Sequence, residues 1–205
     1  EGSGGSEGGS GGGSSGGSGG SGGGSEGGKI LNEGKAVLIK NGKLMEVLSV
    51  DQLNGINLLN IESLNQIITI EDDSFGKPFK MSYRIKNKRI NTVTHFENGI
   101  PVYAAQLILG MELTEIEGEH EELKINTEFS DITPSIRKKL DYQLKNQFTN
   151  ALSTLRKNNS DVIGINEAFF TFNRKQYLKF LEQIGGPDKF LNFVNFKLNF
   201  IIESD

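Results

Sequence analysis

Residues 133–159 read TPSIRKKLDYQLKNQFTNALSTLRKNN, and their pattern is the strongest indicator of the fold class. Thr133 is a residue type that caps helix N-termini, and Pro134 is favoured at the first helical position. Apolar residues then recur at the spacing of one helix face: Ile136, Leu140, Leu144, Phe148, Ala151, Leu152 and Leu155. The other side is polar, with Arg137, Lys138, Asp141, Lys145 and Asn146. We predict a long amphipathic helix over Thr133–Asn158, ended by Asn158-Asn159, with one face in a core.

Alternating patterns typical of β-strands lie before and after this helix in the sequence. Phe79, Met81, Tyr83 and Ile85 alternate with polar residues, and the run continues through Val93 to a turn at Asn98-Gly99. A second long strand then places alternate residues from Tyr103 to Leu113 on one face, and the last strand alternates from Val194 to Ile202. Residues 64–70 are also rich in strand formers. We therefore predict an α+β fold: an antiparallel or mixed β-sheet with a long amphipathic helix and shorter helices packed on it.

Shorter elements complete this prediction. Asn41-Gly42 joins two apolar-rich runs, Ala36–Lys40 and Lys43–Leu48, as a type I′ hairpin turn would. Ser49-Val50-Asp51 contains N-cap candidates for a short helix. Gly55 weakens this helix by about 1 kcal/mol relative to Ala. Its apolar face would consist of Leu53, Ile56, Leu58, Leu59 and Ile61. A further helical region is expected over roughly Glu167–Ile184, and Gly185-Gly186-Pro187 should end it.

Residues Glu1–Gly28 have a different composition from the rest of the chain. They contain only Gly, Ser and three Glu, which is the composition of an engineered flexible tether. We interpret 1–28 as a disordered tether and 29–205 as a single domain. Without the three acids of the tether, the chain has 22 basic and 23 acidic residues, which gives a net charge of −1. This near-neutral balance argues against a nucleic-acid binder that relies on phosphate neutralisation.

The sequence offers little catalytic chemistry. There is no Cys, which excludes thiol catalysis and disulfides, and no apolar run approaches the roughly 18 residues of a spanning helix. His120 lies among acids, a setting that fits either a metal site with oxygen ligands and one imidazole or a solvated acidic segment, and we favour the solvated segment. The basic residues Lys80, Arg84, Lys86 and Lys88 suit either an anion or cross-strand pairing with an acid such as Glu112, the latter favoured. We predict no enzyme activity, no cofactor and no metal.

Aromatic residues are concentrated near the C-terminus. Eight of the thirteen Phe lie between Phe169 and Phe200. Core packing is the simpler explanation, but adjacent helix positions differ by about 100°, so Phe169, Phe170 and Phe172 cannot all point inward from one helix. We predict a protein-binding site that includes Phe169, Phe170, Phe172 and Tyr177.

Two stretches resemble motifs of one family. Residues 34–49, GKAVLIKNGKLMEVLS, with the Leu53–Leu59 helix after them, look like the start of the C-terminal domain of spore germinant receptor C subunits, the Ger(x)C lipoproteins. DVIGINEAF at Asp161–Phe169 is similar to the family's Asp-Val-Phe-Gly-Phe-Gly-Glu-Ala motif. Ile165 and Asn166 stand where the motif has its second aromatic residue and second Gly.

This resemblance implies a function as well as a fold. It implies a non-catalytic interaction domain that acts with the A and B subunits of the receptor in nutrient-triggered germination. The intact protein would be a lipoprotein on the outer leaflet of the spore inner membrane, with a lipid anchor that this chain lacks. The alternative is a domain that binds the small-molecule germinant itself, which requires a concave pocket with a few convergent polar groups.

Overall fold

The structure is a computed structural model that describes residues 36–60, 66–72, 78–117 and 132–204. The strands are β1 (Ala36–Lys40), β2 (Lys43–Leu48), β3 (Ile67–Asp72), β4 (Phe79–Glu97), β5 (Ile100–Glu117) and β6 (Asn195–Ser204). The α-helices are α1 (Val50–Asn57), α2 (Pro134–Lys157), α3 (Ile165–Phe172) and α4 (Arg174–Ile184). A 3₁₀ helix over Pro187–Asn192 precedes β6.

The larger sheet has the strand order β3-β4-β5-β6. Its first two pairings are antiparallel, whereas β6 runs parallel to β5 because α2, α3 and α4 connect them. β1 and β2 form a separate antiparallel hairpin. Both predicted Asn-Gly turns are present, with positive φ at each of the four turn residues. The predicted α+β fold with a mixed sheet is confirmed.

One face of the large sheet packs on α2. The predicted alternation places Met81, Tyr83, Leu107, Leu109 and Met111 in the core, each almost completely buried. All seven apolar positions predicted for the long helix are buried as well. The Thr133 hydroxyl accepts a hydrogen bond from the backbone N–H of Ile136, so the predicted cap is present. Helix α2 is thus the element that closes the core.

The short helix α1 crosses α2 at very close range. Ser49 caps α1 in a capping box with Gln52. Gly55 is buried, and a Cβ added there would lie 2.1 Å from the backbone carbonyl oxygen of Gln147. Gly55 therefore allows the close approach of α1 to α2, because a side chain at this position would clash with the backbone of α2. Ile61 and Leu64, two positions of the predicted elements, lie outside the described residues.

The helical region predicted over roughly Glu167–Ile184 is confirmed, but it consists of two helices, α3 and α4. The first starts at Ile165, and the break falls at Asn173, whose φ of −134° leaves the helical region. The Asn173 side-chain amide donates hydrogen bonds to the carbonyl oxygen of Thr94 at 2.8 Å and to its hydroxyl oxygen at 2.6 Å. This contact with β4 stabilises a backbone turn that helical periodicity cannot reveal. The predicted stop at Gly185 is confirmed by its left-handed φ of 81°.

The predicted basic face of β4 is also only partly correct. Lys86 pairs with Glu112 at 3.2 Å, as expected for a cross-strand ion pair. Lys88 instead points inward, because a β-bulge between Ile85 and Asn87 shifts the alternation by one residue. Its ammonium group donates hydrogen bonds to the carbonyl oxygens of Asn57 and Asn60 near the end of α1. Burial lowers the pKa of Lys88 to about 8.

Candidate interaction surface

The segment before α3 fixes the position of the predicted aromatic site. The Asp161 carboxylate accepts hydrogen bonds from the backbone N–H groups of Ile165 at 2.9 Å and Asn166 at 2.6 Å. These are among the N–H groups at the start of α3 that have no partner within the helix. Gly164, in the left-handed conformation at φ 76°, turns the chain into the helix. A carboxylate at a helix N-terminus is also favoured by the helix dipole.

A polar link joins α3 to α4. The Asn166 side-chain amide donates to Asp161 at 2.8 Å, and its oxygen accepts from the Tyr177 hydroxyl at 2.8 Å. Burial raises the pKa of the Tyr177 phenol, and the nearby Asp161 charge acts in the same direction. The hydroxyl therefore stays protonated and holds the two helices in a fixed relation.

Two of the four predicted site residues lie in the core. The Phe169 ring is fully buried and meets Phe96 at 5.6 Å and Phe190 at 5.0 Å between ring centroids. Tyr177 is almost as buried and meets Phe190 at 4.8 Å. These edge-to-face pairs are favourable aromatic contacts. Neither ring is presented to a partner in this structure.

The other two predicted residues face solvent. Phe170 is 43% exposed and Phe172 is 75% exposed. The Arg174 guanidinium lies 4.8 Å from the centroid of the Phe170 ring, a cation–π distance. Leu178, one turn after Arg174 on α4, is exposed as well. We call these four exposed residues, Phe170, Phe172, Arg174 and Leu178, the α3–α4 surface. The prediction that the three neighbouring Phe could not all be buried is confirmed.

A second exposed apolar surface was not predicted. It is the outer face of the β1–β2 hairpin, where five aliphatic side chains are between 41% and 64% exposed: Val37, Ile39, Leu44, Met45 and Val47. The sequence did contain a signal for it. Three consecutive apolar residues from Val37 to Ile39 place apolar side chains on both faces of a strand, because the strand period is two residues.

The grooves among the described residues open to solvent. A groove of about 860 Å³ lies between β3 and the first half of α2 and is lined by Thr69, Glu71, Lys138, Lys139 and Tyr142, among others. Lys139 there pairs with Asp72 at 3.3 Å. A smaller groove of about 400 Å³ lies between α2 and β6.

Within the described ranges, no cluster of three or more His, Cys, Asp or Glu residues has the geometry to hold a metal ion. The acidic segment around His120, weighed as a metal site from the sequence, lies outside those ranges. None of the helices in the described part of the chain is both long and apolar enough to span a bilayer.

Comparison with known proteins identifies the class. The family model described as spore germination B3/GerAC like, C-terminal, matches residues 33–193. The chain therefore belongs to this family, as the C-terminal domain of a germinant receptor C subunit. The crystal structure of the GerBC protein has the same fold, with a TM-score of 0.56 at 16% sequence identity. The match covers 79% of this chain and 47% of the GerBC chain, so this chain spans about half the length of that relative. No curated protein matches the chain.

Proposed function

We propose that this domain is a non-catalytic protein-interaction domain of a bacterial spore germinant receptor, contributing to nutrient-triggered germination. Its partners are the A and B subunits of that receptor. The intact protein is a lipoprotein on the outer leaflet of the spore inner membrane, held there by a lipid anchor and not by this domain.

The observation that carries this proposal is the exposure of Phe170 and Phe172 beside a well-packed aromatic core. Aromatic and Arg side chains are the types most enriched at the energetic centres of protein interfaces. Phe170 and Arg174 already contact each other at 4.8 Å. Because the Asp161 cap and the Asn166–Tyr177 link fix the two helices, little side-chain or backbone freedom is lost when a partner binds.

The test compares single Ser substitutions at Phe170 and Phe172 for melting temperature and for binding to the soluble domain of a partner subunit. Phe172→Ser should keep its melting temperature, since that ring is 75% exposed. Phe170→Ser should lower it slightly, because the Phe170 ring is only 43% exposed and meets the Tyr177 ring at 6.3 Å between centroids. A ring at the centre of the interface should weaken binding by about 30-fold, which corresponds to about 2 kcal/mol.

Two controls define the outcome. Phe169→Ser removes a buried ring and should lower the melting temperature strongly. Tyr142→Ser removes an exposed aromatic on α2, away from the α3–α4 surface, and should leave partner binding unchanged. If Phe170→Ser and Phe172→Ser both bind the partner as well as the unaltered chain does, the α3–α4 surface is not the interface.

The alternative function, direct binding of a small germinant, is favoured by the groove between β3 and α2. Its volume of about 860 Å³ is in the range of small-molecule sites, and it brings hydroxyl, amide and ammonium groups together. Thermal-shift measurements with amino acids and sugars test it, because a ligand of the native state raises its stability. A shift that Tyr142→Ser abolishes would support this alternative; no shift at millimolar ligand would count against it.

A further inference from the structure

The β1–β2 hairpin is apolar on both faces. Its inner face places Leu38 and Leu48 in the core, where each is at most 5% exposed. On its outer face, Val37 lies opposite Val47, and Ile39 lies opposite Leu44. Met45 occupies the irregularity between these two pairs. The outer face is therefore one contiguous aliphatic surface, which we call the hairpin surface.

The hairpin is held firmly in place. The Lys40 ammonium donates a hydrogen bond to the carbonyl oxygen of Asn159 at 2.7 Å. The Glu46 carboxylate accepts from the Asn158 amide at 2.8 Å and from the Lys157 ammonium at 3.2 Å. These bonds, the Asn158 bond first, lower the pKa of Glu46. The bonds join both strands to the region at the end of α2, and together with the buried Leu38 and Leu48 they keep the outer face toward solvent.

Such a surface is unusual for a face left in water. Single exposed apolar residues are normal, but a contiguous apolar patch marks an interaction site. Strands that are apolar on both faces are typical of sheets covered on both sides. For comparison, the outer side of α2 carries Arg137, Lys138 and Lys145. The hairpin surface therefore has the character of a sheet that lacks its second covering layer.

We propose that the hairpin surface is covered by the domain that precedes this one in the intact receptor subunit. The family model describes a C-terminal domain, and the GerBC chain is about twice as long as the part matched here. The match to this C-terminal family begins at residue 33, three residues before β1, so a domain that precedes it in the subunit joins the chain beside the hairpin. Attachment at that point gives a high effective concentration, and a small aliphatic contact is then sufficient. The covering face is aliphatic and uncharged.

Methionine oxidation tests this proposal with built-in controls. The chain has three Met; Met45 is 41% exposed on the hairpin surface, whereas Met81 and Met111 are both 1% exposed in the core. Peroxide converts accessible Met to its sulfoxide. In the 205-residue chain, Met45 should oxidise much faster than the other two. In the intact subunit, Met45 should oxidise at least several-fold more slowly than in the 205-residue chain, as followed by peptide mass spectrometry.

Substitution of the surface completes the test. Ile39→Lys should leave the melting temperature of the 205-residue chain unchanged and restore fast Met45 oxidation in the intact subunit. Val93→Lys, at an exposed valine on β4, is the matched control and should restore nothing.

Three results overturn the proposal. Equal Met45 oxidation rates in the two proteins would show that no preceding domain covers the surface. Protection already present in the 205-residue chain would assign the surface to this chain itself, or to a second copy if the protection rises with protein concentration. Protection that appears only on adding a partner subunit would assign it to that subunit.

Discussion

Replacing Gly55 by Ala tests how α1 packs on α2, because two physical effects oppose each other there. Helix propensity favours Ala over Gly by about 1 kcal/mol in a helix interior. The new methyl group, however, would lie 2.1 Å from the Gln147 carbonyl oxygen and 2.7 Å from the Ala151 Cβ. Overpacking in a core costs about 1–3 kcal/mol, and the high end applies because a backbone atom cannot rotate away. We expect a net loss of about 2 kcal/mol.

Moving the helices apart does not relieve this cost without further loss. Two side-chain hydrogen bonds join the helices: Gln52 donates to Thr154 at 2.6 Å, and Gln147 donates to Asp51 at 3.0 Å. Each contributes about 1 kcal/mol, and separation of the helices would stretch both. The steric cost therefore cannot simply be exchanged for a small shift of α1.

Urea unfolding of the Gly55→Ala chain measures the effect as a lower transition midpoint at an unchanged slope. Asn54→Ala is the control, since it improves propensity in the same helix without the clash and should be neutral or slightly stabilising. Adding Ala151→Gly to Gly55→Ala should not restore stability, because the Gln147 carbonyl remains. A Gly55→Ala chain as stable as the parent, or more stable, would refute this account of the helix crossing.

Two further predictions concern polar groups that hold elements together, the half-buried Asp161 and the buried Lys88. Asp161→Ala should destabilise the domain by about 1–2 kcal/mol in the same urea assay, because the backbone N–H groups of Ile165 and Asn166 lose their acceptor. A change below about 0.5 kcal/mol would show that water replaces the carboxylate. Lys88→Met should remove a pH dependence. Burial lowers the pKa of Lys88 from 10.5 in the unfolded chain to about 8 in the folded chain. Between these pH values the unfolded chain binds more protons than the folded chain does. The stability of the parent therefore rises with pH, by up to about 3 kcal/mol. The parent should therefore gain stability relative to Lys88→Met as pH rises from 8 to 10.5, and parallel curves would contradict the assignment.

Periodicity predicted the parts of this fold whose structure is decided locally. The seven apolar positions of α2 are spaced by the helix repeat, and β4 and β5 alternate with the strand repeat. Helix caps and Asn-Gly turns were also visible, because each depends on the conformational preferences of one or two residues. None of these features requires knowledge of a distant contact.

Apart from the outer face of the β1–β2 hairpin, for which Val37–Ile39 was a local signal, the features that the sequence did not predict depend on distant contacts. The break at Asn173 depends on two hydrogen bonds to Thr94 of β4. The inward turn of Lys88 depends on a bulge against β5, and the role of Gly55 depends on the path of α2. The four predicted site residues lie in two different environments for the same reason. Phe169 and Tyr177 pack against the ring of Phe190 in the core, whereas Phe170 and Phe172 lie at the surface.

The residues that revealed the family are structural ones. In the Asp161–Phe169 motif, Asp161 caps α3, Gly164 supplies the left-handed turn and Phe169 fills the core. The departure at Asn166 fits the same purpose, because its side chain bonds both Asp161 and Tyr177, which a Gly in that position cannot do. These three residues and Asn166 therefore specify how α3 and α4 are held together. If the α3–α4 surface binds a partner subunit as proposed, specificity is expected at its exposed side chains, such as Phe172 and Arg174, which can vary without loss of the fold.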